Sequence, residues 1–229
     1  KTPDLFNSKA TSVPKPVISE VGSSKSLKIS QTEKLVTYLS SLSLEESKEE
    51  ATKWVLETWG VDPGNLIGMD EPIFENLEVD FGLSFYEFSG NFSRLATLNY
   101  PVILEMNLPN AQGTKYLALV SAKNNFGTFG SVDKIEMPFS AIESLWNNKA
   151  IVFWKDFESL PATFGKGFKG KESIWLQKNL RLLGFFKGRE ASNYGPKTSD
   201  AVKRFQRQYG IKDEGSFDTQ SNLALYGLL

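Results

Sequence analysis

Four carboxylates, Glu71, Glu75, Glu78 and Asp80, fall within one ten-residue stretch. Two carboxylates flanking a scissile bond suffice for acid–base cleavage of a glycan, although a run of this kind is more often a solvated acidic loop. Most other chemistry is removed by what is missing. The 229 residues contain no Cys and no His. Without a thiolate, an imidazole base or an imidazole metal ligand, cysteine peptidases, Ser-His-Asp hydrolases, histidine-type zinc amidases and histidine phosphotransfer all drop out. No cofactor and no metal is expected. Absence of Cys is compatible with an oxidising envelope space.

The remaining polar groups of interest must be positioned by the last sixty or so residues, Lys171 to Leu229. Leu176, Leu180 and Leu183 recur at helical spacing and Gly184 follows, predicting a helix over about 172–183. Pro196 suits a first helical position. Ala201, Val202, Phe205 and Tyr209 then share a face until Gly210. Asp213-Glu214-Gly215 is a turn, and Asp218 can cap a third helix through Leu223 and Tyr226. The result is a three-helix bundle.

The runs Leu176-Gln177, Leu183-Gly184-Phe185, Tyr194-Gly195-Pro196-Lys197-Thr198, Ala201-Val202, Phe205-Gln206 and Gly210-Ile211 resemble the peptidoglycan-binding domain of bacterial cell-wall enzymes and envelope proteins. Ala191-Ser192-Asn193 stands where that family has Asp-Gly-x. The resemblance implies peptidoglycan as ligand. Helix-start N–H groups near Gly195, Lys197 and Thr198 can receive a carboxylate, Tyr194 offers a ring to a sugar face, and Lys203 or Arg204 can pair with a peptide terminus. Gln206 and Tyr209 complete the candidate site. Gln206, like Gln177, could equally fix a loop.

Charge supports a polar ligand for this segment. From Gly165 on there are 12 Lys+Arg against 6 Asp+Glu, whereas the preceding 164 residues hold 14 against 21. A basic module attracts peptide carboxylates at long range, and less so in salt. No base-stacking motif or recognition-helix pattern accompanies the charge, so nucleic acid is not an expected partner.

Upstream, residues 1–30 have a Ser/Lys/Pro/Thr linker composition. Lys1 opens the chain, which suggests a fragment or a processed chain from which a signal or anchor could have been removed, and no apolar run approaches the roughly 18 residues of a membrane span. Ser30-Gln31-Thr32-Glu33 and Ser43-Leu44-Glu45-Glu46 read as capping boxes opening two helices. Ala51, Trp54, Val55 and Trp59 form the apolar stripe of the second, which Gly60 ends. Strands are predicted at 85–88, 102–106, 116–121, 132–137 and 151–154, with a short helix from Met137-Pro138-Phe139 through Trp146. The fold class is α+β.

This middle region resembles the papain-like fold of double-glycine (C39-type) peptidases, on Val55 to Gly60, Tyr100 to Leu104, Tyr116 to Val120 and the stretch from Trp146 to Trp154. The resemblance puts the family's catalytic Cys near Ser47 and its His at Lys115 or Tyr116, so the dyad is missing. A Ser47–Lys48 pair is conceivable chemistry, but a helix-start Ser beside Lys is usually solvated. The expected organisation is therefore a 1–30 linker, a degenerate peptidase-like domain over 31–164, and a wall-binding bundle over 165–229.

That combination, with Ala141 to Trp146 and Val152 to Lys155 running into the bundle, is similar to the periplasmic region of the general secretion pathway protein A family. The resemblance implies a non-enzymatic periplasmic part of an inner-membrane protein. Its partners would be peptidoglycan, a B-type protein of the same pathway, the type II secretion secretin and, as a homo-oligomer, further copies of itself. The alternatives are a wall hydrolase using the acidic residues, and an interaction platform whose bundle has lost wall binding.

Overall fold

A computed structural model describes residues 21–66, 73–109, 111 and 113–229. The first helix, α1 (Val21–Ser41), starts inside the expected linker and runs through Ser30, so the first capping box does not open a helix. The second box does. Ser43 precedes α2 (Leu44–Thr58), its hydroxyl accepting the Glu46 N–H while the Glu46 carboxylate accepts the Ser43 N–H. That backbone donor holds the Glu46 carboxyl below its ordinary range. Ser43→Ala should cost about 1 kcal/mol in urea denaturation. At the other end Gly60 takes φ 71°, as a helix stop requires.

Further helices are α3 (Ile73–Phe81) and α4 (Phe92–Leu98). The strands are β1 (Ser84–Ser89), β2 (Val102–Met106), β3 (Lys115–Lys123), β4 (Phe126–Gly130), β5 (Lys134–Pro138) and β6 (Trp146–Trp154). They form one antiparallel sheet of order β1-β6-β2-β3-β4-β5. The expected helix after Met137 is two short 3-10 turns, Phe139–Ala141 and Glu143–Leu145, and Trp146 opens β6 instead.

Strand alternation sorts side chains to two covered faces. Ile103, Ala118, Ile151 and Phe153 meet Ala51, Val55 and Leu56 of α2. Val102, Leu104, Leu117, Leu119 and Val152 face a second core that includes Leu35 and Leu39 of α1 and Leu95 and Leu98 of α4. Burial on both sides is why β2 opens on three consecutive apolar residues, Val102, Ile103 and Leu104.

The C-terminal helices are α5 (Lys171–Leu182), α6 (Pro196–Gln208) and α7 (Thr219–Tyr226), with Pro196 in the first turn of α6 and Asp218 capping α7. Two short strands, β7 (Thr163–Phe164) and β8 (Phe217–Asp218), pair antiparallel. Phe164 packs on Phe168, Tyr194 and Phe217, so the module's own packing begins one residue before Gly165.

Candidate functional site

The two positions that the peptidase resemblance assigns to a dyad come together, but their polar groups are engaged. Because α2 lies across β3, Ser47 and Tyr116 come together, and the Tyr116 N–H donates to Ser47 Oγ at 3.2 Å. The hydroxyl donates in turn to the Leu44 carbonyl at 2.8 Å. Ser47 is fully buried, not solvated as its helix-start position suggested. The Lys115 ammonium, also buried, donates to the Leu42 carbonyl. A serine hydroxyl needs an adjacent base to attack near neutral pH; here it bridges two backbone groups. With no cysteine in the chain, this domain lacks the nucleophile of C39 peptidases and is not a catalyst of that kind.

The acidic candidates are not placed as an acidic loop. Glu71 lies outside the described residues, and Glu75, Glu78 and Asp80 belong to a helix, α3, not a loop. Glu78 and Asp80 are two residues apart on it, a spacing that turns side chains away from each other. The Glu78 carboxylate accepts from Ser84 Oγ. Among the described residues, no group of three or more carboxylates could hold a metal ion.

The C-terminal module carries a groove. Gln177, Phe186, Gly188, Arg189, Ala191, Asn193, Gly195, Pro196, Lys197 and Thr198 line an open space of about 470 Å³. An adjoining one of about 220 Å³ shares Phe186, Gly188 and Lys197 and adds Lys187, Asp200 and Arg204. One wall is the first two turns of α6, which Pro196 starts. The other is the loop from Phe185 to Asn193. Arginines hold its near end: Arg204 donates to the Phe185 carbonyl at 2.6 Å, and Arg181 donates to the Gly188 carbonyl while pairing with Glu190 at 2.9 Å. Buried Gln177 holds the far end. Its carbonyl accepts the Ala191 N–H at 2.7 Å, and its amide donates to the Asn193 carbonyl at 3.1 Å and to Thr198 Oγ1 at 2.9 Å.

Gln206, near the C-terminal end of α6, does the same for the turn at Gly215. It accepts the Gly215 N–H and donates to the Ser216 carbonyl and Ser221 Oγ. Both glutamines therefore fix loops with both amide N–H groups used, and Gln206 is fully buried, away from any ligand surface.

Of the sequence candidates, Gly195, Lys197, Thr198 and Arg204 line the groove. Thr198 contributes little surface, being buried with its hydroxyl occupied by Gln177. The N–H groups of Thr198 and Ser199 both donate to the Gly195 carbonyl, so they are not free to receive a carboxylate. Tyr194 offers no ring to a sugar. It is fully buried, edge-on to Phe164, with its hydroxyl donating to the Gly215 carbonyl at 2.8 Å. Lys203 lies by the Gly215 turn, and half-buried Tyr209 packs on Phe185 and Phe205. Sequence reasoning missed Lys187 and Arg189. The one signal pointing to them is basic residues clustered between two helices, since a loop has no period to read.

Comparison with known proteins supplies context. No curated protein matches the chain. Among solved structures, the chain is similar to a periplasmic domain of the EpsAB fusion protein of the Vibrio vulnificus type II secretion system, at 14% identity over 79% of this chain and 78% of that one, TM-score 0.47. It is also similar to the N-terminal peptidase C39-like domain of a toxin secretion ATP-binding protein from Vibrio parahaemolyticus, at 14% identity over 47% of this chain and 95% of that one, TM-score 0.37. A peptidoglycan-binding protein from Clostridioides difficile is similar at 24% identity over 52% of this chain and 65% of that one, TM-score 0.27. The groove itself falls within residues 169–222, the segment of this chain that matches the sequence family described as "Putative peptidoglycan binding domain".

Proposed function

We propose that the protein is a non-catalytic periplasmic module that binds peptidoglycan through the α6 groove and, as the periplasmic part of an inner-membrane protein, helps assemble the type II secretion secretin together with a B-type partner. The observation that carries the wall-binding part is a groove rimmed by Lys187, Arg189, Lys197 and Arg204 inside the segment that matches the peptidoglycan-binding family. The secretion setting rests on the sequence resemblance to the general secretion pathway protein A family. On this reading residues 31–164 form a degenerate C39-like body, and the bundle that follows is the anchor. Homo-oligomerisation and direct secretin contact belong to the same proposal. Among the described residues no helix is long and apolar enough to cross a membrane.

Co-sedimentation with purified sacculi tests it. Deleting residues 165–229 would leave β7 without β8 and strip the body of its contacts with α7, so point variants are cleaner. The double variant Arg189→Glu, Lys197→Glu should bind sacculi about tenfold more weakly, two exposed charge reversals at up to about 1 kcal/mol each. Wild-type binding should weaken as salt rises. The intact chain should release no dye from labelled sacculi. Undiminished sedimentation of the double variant, or dye release by the wild type, would overturn the proposal.

A further inference from the structure

The groove holds a feature that a plain anion site would not need. Lys197, Asp200 and Arg204 stand at i, i+3 and i+7 on α6, one face of the helix, and all three line the smaller cavity with Phe186, Lys187 and Gly188. Opposite charges at i,i+3 and i,i+4 are within reach of each other on a helix. Elsewhere in the module carboxylates at other spacings are ion-paired: Glu190 with Arg181, Asp213 with Arg207, and Glu214 with Lys212. At Asp200 this is not so. Among the described residues Asp200 has no ion-pair partner, and the Arg204 guanidinium turns instead to the Phe185 carbonyl.

A lone carboxylate set between cations weakens the attraction for any purely anionic ligand, because its field opposes theirs at short range. It strengthens attraction for a ligand that brings an ammonium beside a carboxylate. Peptidoglycan stems present that combination where a diamino acid ends in an uncrosslinked side chain with a free amine and a free carboxylate. Cross-linking acylates the amine and removes its charge. Resting on the wall-binding reading above, we infer that the groove reads the cross-linking state of peptidoglycan: Asp200 takes the free side-chain amine of an uncrosslinked stem while Lys197 and Arg204 take its carboxylates. The protein then attaches where the mesh is open, the places through which a large assembly could pass.

The test is co-sedimentation of the intact chain with three sacculus preparations: untreated, N-acetylated with acetic anhydride, and opened by an endopeptidase that cuts the cross-links and frees amines. Wild type should bind the opened sacculi more tightly than the untreated ones, and the acetylated ones about threefold to fivefold more weakly, the scale of one exposed ion pair. Asp200→Asn, an exposed substitution whose fold is checked by its urea midpoint, should bind untreated and acetylated sacculi alike. Equal wild-type binding to untreated and acetylated sacculi would overturn the inference and leave wall binding intact. An Asp200→Asn chain that keeps the preference would overturn it too, placing amine recognition elsewhere. Failure to bind any of the three would overturn the wall-binding reading itself.

Discussion

Tyr194→Ala is expected to unfold the C-terminal module, at a cost of about 3–5 kcal/mol, the range for emptying a well-packed aromatic site. The ring is fully buried and lies 5.8 Å from Phe164 in edge contact, and the residue's backbone ties the loop to Gly167 and Phe168. Tyr194→Phe keeps the packing and removes one hydrogen bond. The Gly215 carbonyl still receives the Ser199 hydroxyl at 3.0 Å, so the loss should be about 1 kcal/mol. Urea denaturation of the intact chain measures both. Were the ring a sugar platform, Tyr194→Ala would fold normally and lose only sacculus binding; that outcome would contradict the buried role.

The same burial gives a pH dependence. It pushes the phenols of Tyr100, Tyr194 and Tyr226 above the ordinary tyrosine value, Tyr100 to about 12. The folded chain therefore keeps these protons at pH values where the unfolded chain has released them. Stability contributed by such a group is complete below pH ~10 and is lost as pH climbs toward the folded value, by up to ~1.4 kcal/mol per pH unit per group. Urea midpoints should hold between about pH 8 and 9 and fall above about 10. The fall should be shallower in Tyr194→Phe, which has one such phenol fewer.

Tyr194 also marks where sequence reading stops. Periodicity recovers what periodicity encodes. The β2 range comes out of its short apolar run and the first turn of α6 out of the placement of Pro196. Strand β4 was invisible because Phe126-Gly127-Thr128-Phe129-Gly130 carries two glycines, which weaken a strand pattern. Their reason is tertiary. A Cβ at Gly130 would lie 2.2 Å from the Trp54 ring, and one at Gly127 2.6 Å from Phe129. At Ser30 a capping pattern was overridden because α1 had already begun upstream. The candidate binding residues divide the same way. Lys197 and Arg204 sit on a helix whose face the sequence defines, but Tyr194 precedes that helix in a loop, where nothing local tells a buried ring from an exposed one. Its burial is decided by Phe164 and Gly215, each more than twenty residues away.

Tyr226→Ala should uncouple the two halves of the protein. Tyr226 is the hub of their seam: its hydroxyl accepts the Glu158 N–H at 3.0 Å, and its ring lies 5.5 Å from Trp175 and 6.0 Å from Trp154, at the end of β6. The Tyr100 hydroxyl donates across the seam to the Leu223 carbonyl at 3.2 Å. Interfaces between domains usually permit motion unless they are well packed and apolar; this one is packed with aromatic rings. The wild type should therefore unfold in a single transition. Removing a half-buried aromatic hub should cost about 2–3 kcal/mol, somewhat less than a fully buried ring, and resolve the melt into two steps by calorimetry. Gly227→Ala attacks the seam without touching that ring, since its Cβ would meet the Leu98 carbonyl oxygen at 2.6 Å, and should split the melt in the same way. If both variants keep one transition with the wild-type enthalpy, this seam is not what couples the halves. If both split it, the α6 groove is held at a fixed orientation to the sheet, and on the proposed wall-binding reading so is a stem peptide within it. The bundle then positions the body on the wall, which a flexible tether could not do.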